Sequence, residues 1–324
     1  MEPLGPALSW NLVLDVQQML SYHFMVNALR AGTVVALVAG AIGYFMVLRR
    51  QSFAGHTLAV VGFPGAAGAT WLGLGAAVGY FGFCIAGALT IASLPGGGRA
   101  RGAPASAGGA GEESAVVGTV QALALASGFL FVSLYHGFSS GLTSMLFGTI
   151  TGVSDQQVLL LVVAGTGCLL LLAVLVRPLL FASVDADVAL ARGVPVRLVD
   201  TAFLLLLGVA AAGTSQVTGS LLVFALLVAP AASASRLTAR PTAAVLISVL
   251  LALLFVWVGE GIAFFSVYPI GFWVTTLAFA TFLASTAYRA AADRLGSRRP
   301  RQKAGRGPLR GRRHGRGRGE PATT

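Results

Sequence analysis

Charged residues and cysteine are scarce in this chain of 324 residues. Only 10% of the residues are Asp, Glu, Lys or Arg, whereas 56% are hydrophobic, and soluble domains carry roughly 25% charged residues. The composition therefore indicates an integral membrane protein. Cys84 and Cys168 both lie within apolar runs, where a thiol behaves as a small hydrophobe, so neither a disulfide nor a cysteine metal site is expected.

Lysine is almost absent. Lys303, near the C-terminus, is the single lysine of the sequence. A P-loop needs a lysine after its Gly-rich turn, so the chain does not bind ATP in that way. A secondary transporter would instead carry ionisable groups inside its spans. The acidic residues are expected in loops or at span ends, so the sequence does not predict such a relay of ionisable groups within its spans. These residues are Asp155, Asp185, Asp187, Asp200 and Glu260.

Nine apolar runs of about twenty residues or fewer predict an all-α polytopic bundle. The positive-inside rule puts the N-terminus outside and the C-terminus in the cytoplasm, with Arg30 at the outer end of the first span as the one exception. The runs are approximately 31–48, 57–74, 78–94, 116–134, 157–176, 199–212, 219–235, 243–258 and 271–287.

Four segments outside the spans complete the expected organisation. Residues 1–23 form a mildly amphipathic lead that favours an interfacial helix over a span. The Gly-rich loop 95–114 is low in complexity and expected to be flexible and cytoplasmic. Residues 290–324 form a basic tail, expected to be disordered and cytoplasmic, that carries most of the net charge of +11. This charge indicates a topology anchor near anionic lipid, not a nucleic-acid partner.

The polar segment 177–198 lies between two spans of the transmembrane domain, which covers residues 24–289. Its residues 185–190 are mostly good helix formers; Ser183 is a candidate N-cap, and Gly193 followed by Pro195 is a stop signal. Flanking arginines place this helix in the cytoplasm. An ordinary solvated connector is the alternative interpretation.

The sequences DADVALARGVPVRLVD and VTGSLLVFALLVAPAASASR, residues 185–200 and 217–236, resemble the permease subunit of ATP-binding-cassette importers of the zinc, manganese and iron type. Residues 43–69, 139–154 and 268–285 resemble the same family. The resemblance implies a non-enzymatic transport subunit of the cytoplasmic membrane that moves a divalent metal ion by alternating access. It also implies a cytoplasmic ATPase that uses ATP, an extracytoplasmic solute-binding protein and a homodimer of permeases. This chain itself is expected to bind no cofactor.

Site residues follow from the same resemblance. Asp185, Ala189 and Gly193 correspond to the coupling helix that docks the ATPase. Pro64, Gly65, Gly219 and Pro230 correspond to pathway or packing positions. Spaced small residues in the first two spans, such as Gly32, Ala36 and Gly40, or Gly65, Ala69 and Gly73, indicate close helix packing.

The family carries an Asp and, four residues later, a His at the first-to-second span junction, a pair suited to Zn²⁺ or Mn²⁺. Here those positions are His56 and Val60. A neutral imidazole binds such metals, so His56 is a candidate metal contact, and a polar residue hydrogen-bonded at the membrane boundary is the alternative. His23, His136 and Glu260 lie on the predicted outer side.

Two other functions are alternatives to metal-ion transport. The same architecture with another cargo, such as a metal chelate or other small ligand, is consistent with the missing Asp/His pair. A membrane enzyme would need a nucleophile with a base, or carboxylates paired in the bilayer, and the sequence offers neither arrangement.

Overall fold

The computed structural model describes residues 11–94, 109–134, 153–220 and 223–297, which form eleven helices and no strand. This confirms the predicted all-α class. The helices are α1 (Leu12–Ser21), α2 (His23–Leu48), α3 (Ser52–Trp71), α4 (Ala76–Ser93), α5 (Gly109–Leu134), α6 (Asp155–Val184), α7 (Ala186–Ala191), α8 (Val196–Thr218), α9 (Val223–Leu237), α10 (Pro241–Phe264) and α11 (Ile270–Ser297).

Within this described part, seven helices are long and apolar enough to cross a membrane. They are α2, α4, α5, α6, α8, α10 and α11. Helix α9 is apolar but has only 15 residues, and α3 has 20 residues that include the polar His56 and Thr57. Each of the nine predicted runs coincides with one of these nine helices, so the multi-pass bundle is confirmed.

Helix α2 lies at the centre of the bundle. It packs against α10, α9, α6 and α8, while α3 packs between α4 and α5. Of the apolar stretch of α2, 72% is buried within the protein, against 22% for the peripheral helix α6. The continuous core therefore surrounds α2 and α8, and α6 presents most of its surface outward.

Glycines allow the closest approaches between helices. A methyl group added at Gly43 in α2 would overlap the backbone carbonyl of Leu227 in α9, and one at Gly65 in α3 would overlap that of Gly79 in α4. Close van der Waals contacts of this kind stabilise helix association in a membrane, where lipid provides no hydrophobic driving force between helices. Gly73 does not belong to this packing row: it lies in the turn after α3 with φ +75°.

Helix boundaries differ from the predicted segments at two places. Helix α5 already begins at Gly109, inside the predicted loop 95–114, and residues 95–108 lie outside the described residues. Helix α11 continues to Ser297, so the first residues of the predicted tail 290–324 are helical. Apolar and helix-forming residues extend both helices beyond the runs that hydropathy alone delimits.

Prolines lie inside two of the core helices. Pro64 is buried within α3 and Pro230 within α9. A proline removes one backbone hydrogen bond, which membrane helices tolerate because neighbouring helices compensate. Both residues therefore occupy packed positions in the bundle.

Candidate functional site

The short helix α7 lies at one end of the bundle, which we name the coupling end. Its N-cap is Asp185, whose carboxylate oxygen accepts hydrogen bonds from the backbone N–H of Asp187 at 3.1 Å and of Val188 at 3.0 Å. The turn after α7 contains Gly193 with φ +80°. This left-handed conformation favours glycine because it has no Cβ.

Ser183 is not the N-cap of α7, which corrects the sequence-based prediction. Helix α6 continues to Val184, so Ser183 lies within it and donates its hydroxyl hydrogen to the carbonyl of Leu179. Asp185 takes the cap position because it is the first residue with extended backbone after α6. The prediction of a helix that Gly193 follows is confirmed by the geometry.

Helix α7 has a buried face and an exposed face. Ala189 is completely buried and packs with Ala182 and Val196, so it fixes α7 to the bundle and does not face outward. Val188 and Leu190 are 44% and 56% exposed. Exposed apolar side chains on a short helix, next to arginines, are suited to docking a partner protein.

A buried cation connects three helix ends near α7. Arg49, directly after α2, forms an ion pair with Asp200 of α8 and donates a hydrogen bond from Nη1 to the Ser183 hydroxyl at 3.3 Å. Its guanidinium carbon also lies 5.4 Å from the ring centroid of Phe203. Arg49 thus joins the ends of α2, α6 and α8 beside the coupling helix.

His56 lies in α3 and faces the start of α9. Its ring stands edge-on to Phe224, with 5.2 Å between ring centroids, and its Nδ1 is buried without a hydrogen-bond partner. Val60, one turn further along α3, is 8% exposed. Among the described residues, no donor or acceptor contacts this Nδ1 atom.

The remaining predicted positions lie in α3, at the end of α8 and in α9, and none of them is a metal-binding residue type. Pro64 contacts Gly128 of α5, Gly65 packs on α4, and Gly219 ends α8 with φ +78°. Pro230 is buried in α9. Within the residues that the structure describes, no three His, Cys, Asp or Glu side chains come together.

At the end of the bundle opposite α7, polar side chains of α2 and α6 meet. Asn27 donates a hydrogen bond from Nδ2 to the Asp155 carboxylate at 2.8 Å, and His23 Nε2 lies 3.3 Å from the same oxygen. The side chains of His23 and Asp155 are 74% and 73% exposed. His136 lies outside the described residues.

Glu260 was expected at the outer side in a loop, and the structure corrects this placement. It lies within α10 and is completely buried against Gly32 of α2, and neither carboxylate oxygen has a hydrogen-bond partner among the described residues. A row of residues four apart, Ser248, Ala252, Val256 and Glu260, forms the buried face of α10. This spacing was the sequence signal that could have placed the carboxylate inside the bundle.

Comparison with known proteins decides the family. Residues 21–289 match the ABC 3 transport family. The chain belongs to this family. The match spans every helix from α2 to the middle of α11, so the helices around His56 and α7 all lie within the permease domain.

Individual relatives agree with this assignment. The permease is 29% identical over 230 residues to a manganese transport system membrane protein of Halalkalibacterium halodurans, covering 71% of this chain and 75% of the relative. It is 30% identical over 224 residues to a chelated iron transport system membrane protein of Yersinia pestis, covering 69% and 72%. The solved structure of PsaBC from Streptococcus pneumoniae in complex with Fab matches with a TM-score of 0.73 and 26% identity, covering 85% of this chain and 95% of that one.

Proposed function

We propose that this chain is the permease of an importer that moves a divalent transition-metal ion through the cytoplasmic membrane by alternating access. The observation that carries the proposal is the family match over residues 21–289. Relatives are named for transport of manganese and of chelated iron. The metal ion is thus the transported substrate, and the permease is not an enzyme.

Energy is supplied by a separate ATP-binding-cassette ATPase that docks on α7. Val188 and Leu190 form the exposed apolar face for this contact. Ala189 and the Arg49–Asp200 pair transmit its movement to α2 and α8, because they hold α7 and its neighbours to the core. The ATPase makes different contacts with the two access states of the permease, and ATP-driven docking therefore shifts the population between them.

Two further partners belong to the proposal. A second copy of the permease completes a central pathway, and an extracytoplasmic solute-binding protein delivers the ion at the end that carries His23 and Asp155. An imidazole and a carboxylate in contact are suitable for transient metal transfer.

His56 is the proposed metal contact within the pathway. Its Nδ1 is buried and free to bind, since no described residue hydrogen-bonds to it. A single nitrogen holds an ion weakly, which suits a pathway because conduction requires sites that release the ion.

The surroundings of His56 also favour one second candidate for the cargo, a chelated metal. A bare ion needs several protein ligands, whereas a chelate brings its own and needs mainly apolar and aromatic contacts. His56 has Phe224 beside it and Val60 one turn away. A chelate therefore fits a site that is poor in protein ligands.

The test is the metal content of cells that lack this gene, compared with complemented cells and measured element by element under manganese, iron or zinc limitation. A selective fall in one metal, restored by the wild type and by Thr70→Ala but not by His56→Ala, supports the proposal. Thr70 is the matched control because it lies in the same helix and its hydroxyl donates a hydrogen bond within α3, to the carbonyl of Ala66. Uptake that appears only with a chelator present selects the second candidate, and no change in any metal contradicts both.

A further inference from the structure

Glu260 is the one ionisable side chain of α10. It is 0% exposed, and neither of its carboxylate oxygens has a hydrogen-bond partner among the described residues. An ionisable residue inside a membrane helix is costly and in most proteins has a partner or a functional role. Neither the proposed metal pathway nor the coupling end uses this carboxyl group.

The charged and titratable groups of the surrounding helices do not neutralise Glu260. Helices α2, α9 and α11 pack against α10, and α1 borders a groove that α2 and α10 also line. Arg30 and Asp15 lie in the lining of that groove, and the charge of Arg30 acts on Asp155. No ionisable side chain of these helices forms a hydrogen bond or an ion pair with Glu260. These side chains are Asp15 in α1; His23, Arg30 and Tyr44 in α2; Arg236 in α9; and Tyr288, Arg289, Asp293 and Arg294 in α11.

Only the neutral form of Glu260 fits this site without a counter-ion. Removing an ionised carboxylate from water without a partner costs far more than removing a neutral carboxyl group. A proton on one of the two oxygens therefore makes the buried position of Glu260 possible.

Glu260 contacts α2 at Gly32, in the halves of α2 and α10 that are farthest from α7, which we name the outer halves. A Cβ atom at Gly32 would overlap Oε1 of Glu260 and a methyl group of Val256. The carboxyl group thus fills the space that the glycine leaves. The outer halves of the two helices meet through this contact.

The inner halves of the same two helices are joined by contacts that do not titrate. Ser248 donates a hydrogen bond from its hydroxyl to the carbonyl of Gly40 at 2.7 Å, and a Cβ atom at Gly40 would overlap the backbone of Val249. Gly40 and Gly32 lie about 12 Å apart along α2, at roughly 1.5 Å per residue. Ionisation of Glu260 therefore weakens the outer contact and leaves the inner contact as a pivot.

One further hydrogen bond joins the outer halves. Trp257 donates it from its indole N–H to the hydroxyl of Thr33 at 2.9 Å. A single neutral hydrogen bond contributes much less than the cost of an unpaired buried carboxylate. This bond therefore does not keep the outer halves together once Glu260 is ionised.

We propose that Glu260 is a proton-operated latch between α2 and α10. With its proton, the carboxyl group packs on Gly32 and holds the outer halves together. When the outer halves open transiently, the O–H bond breaks, the proton passes to water, and the hydrated carboxylate that remains keeps the helices apart. The latch goes beyond the proposed transport function, because it needs neither the cargo nor the ATPase.

The experiment measures how fast a water-soluble maleimide labels a cysteine at the latch in the full-length permease, purified in detergent. The reporter is Val256→Cys, since Val256 is 0% exposed beside Gly32, in a background with Cys84→Ala and Cys168→Ala. At mildly acidic pH the reporter should be protected. At alkaline pH it should react about tenfold faster with Glu260 than with Glu260→Gln, which has the same shape and does not ionise. Comparing both backgrounds at each pH cancels the ionisation of the reporter thiol itself.

Ala244→Cys is the matched control, because Ala244 is 1% exposed in the inner half of α10. It should stay protected at every pH in both backgrounds. Glu260→Met, which is also uncharged and of similar length, provides the same comparison if the glutamine variant does not fold. Infrared spectroscopy of the wild type at mildly acidic pH should also show the carbonyl band of a protonated carboxylic acid that both Glu260 variants lack.

Three results would overturn the proposal. The first is equal labelling of Val256→Cys with and without Glu260 at every pH. The second is the absence from the wild type of a protonated carboxylic acid band that depends on Glu260. The third is labelling of Ala244→Cys in parallel with Val256→Cys, because this would mean that α10 unfolds as a whole and does not open at its outer half. All three results are obtained without metal or ATP, so they are distinct from a failure of the transport proposal.

Discussion

The guanidinium of Arg49 and the carboxylate of Asp200 form an ion pair that is shielded from water, with side chains 0% and 10% exposed. Burial lowers the pKa of Arg49 below its ordinary value, and the charge of Asp200 opposes that shift. Arginine nevertheless stays charged, so the pair remains ionic. It connects the end of α2 with α8, and Arg49 also contacts Ser183 beside the coupling helix.

Breaking this pair should destabilise the coupling end. Asp200→Ala leaves a buried guanidinium without its counter-ion, and we expect a loss of about 3–5 kcal/mol in the free energy of unfolding. Thermal unfolding of the detergent-purified permease measures the effect. Replacing both partners in Arg49→Met with Asp200→Leu should recover most of that stability, since no buried charge remains. A double variant as unstable as Asp200→Ala would contradict a pairwise role.

The contact between α2 and α9 at Gly43 gives a second prediction. Gly43→Ala places a methyl group against the backbone carbonyl of Leu227, which no side-chain rotation relieves, so we expect a loss of roughly 1–3 kcal/mol. Gly82→Ala in α4 is the control, because an added Cβ there meets no atom within 4 Å. Equal melting temperatures for the two variants would show that α2 and α9 do not pack as closely as described.

Substitutions in the turn at Gly193 test whether α7 couples ATP hydrolysis to metal uptake. Gly193→Val forces a β-branched residue to φ +80°, at a cost of about 1–2 kcal/mol, and should tilt α7 relative to the bundle. We expect metal uptake to fall by more than half while the partner ATPase still hydrolyses ATP. Gly193→Asn should keep most of the uptake, because asparagine tolerates a positive φ. Full uptake by the valine variant would refute the coupling role.

The N-cap of α7 gives a local prediction. Asp185→Ala removes both hydrogen bonds to the first turn, and a lost cap costs about 1 kcal/mol. Amide hydrogen exchange at Val188 should then rise about fivefold. Asp187→Asn also removes one negative charge from the first turn but leaves the Asp185 cap in place, so it should leave that exchange rate nearly unchanged. Similar rates in both variants would mean that charge, not capping, orders the helix.

Hydropathy and small-residue spacing were sufficient to predict the class, the nine helices and their order. They were insufficient wherever a helix continues past its apolar run. Ser183 and Glu260 were both placed in loops, yet α6 and α10 extend over them. A carboxylate inside a membrane helix is costly, and sequence alone does not reveal that Gly32 leaves room for it.

The candidate site was predictable in position but not in environment. The resemblance located His56 and the coupling segment, because their neighbours in sequence carry the family pattern. It did not reveal that Phe224 from α9 lies against the imidazole or that Arg49 connects α6 and α8. Both depend on contacts between residues more than a hundred positions apart, which periodicity within one helix does not report.

The most direct measurement of the central claim is the initial rate of radioactive manganese uptake by cells that express either wild-type permease or one of two His56 variants at equal levels. Our account predicts that His56→Ala lowers the rate at least tenfold and that His56→Asp, which supplies an oxygen ligand, retains it. Equal uptake by wild type and His56→Ala, under conditions where the wild type clearly transports manganese, would contradict a metal pathway through His56.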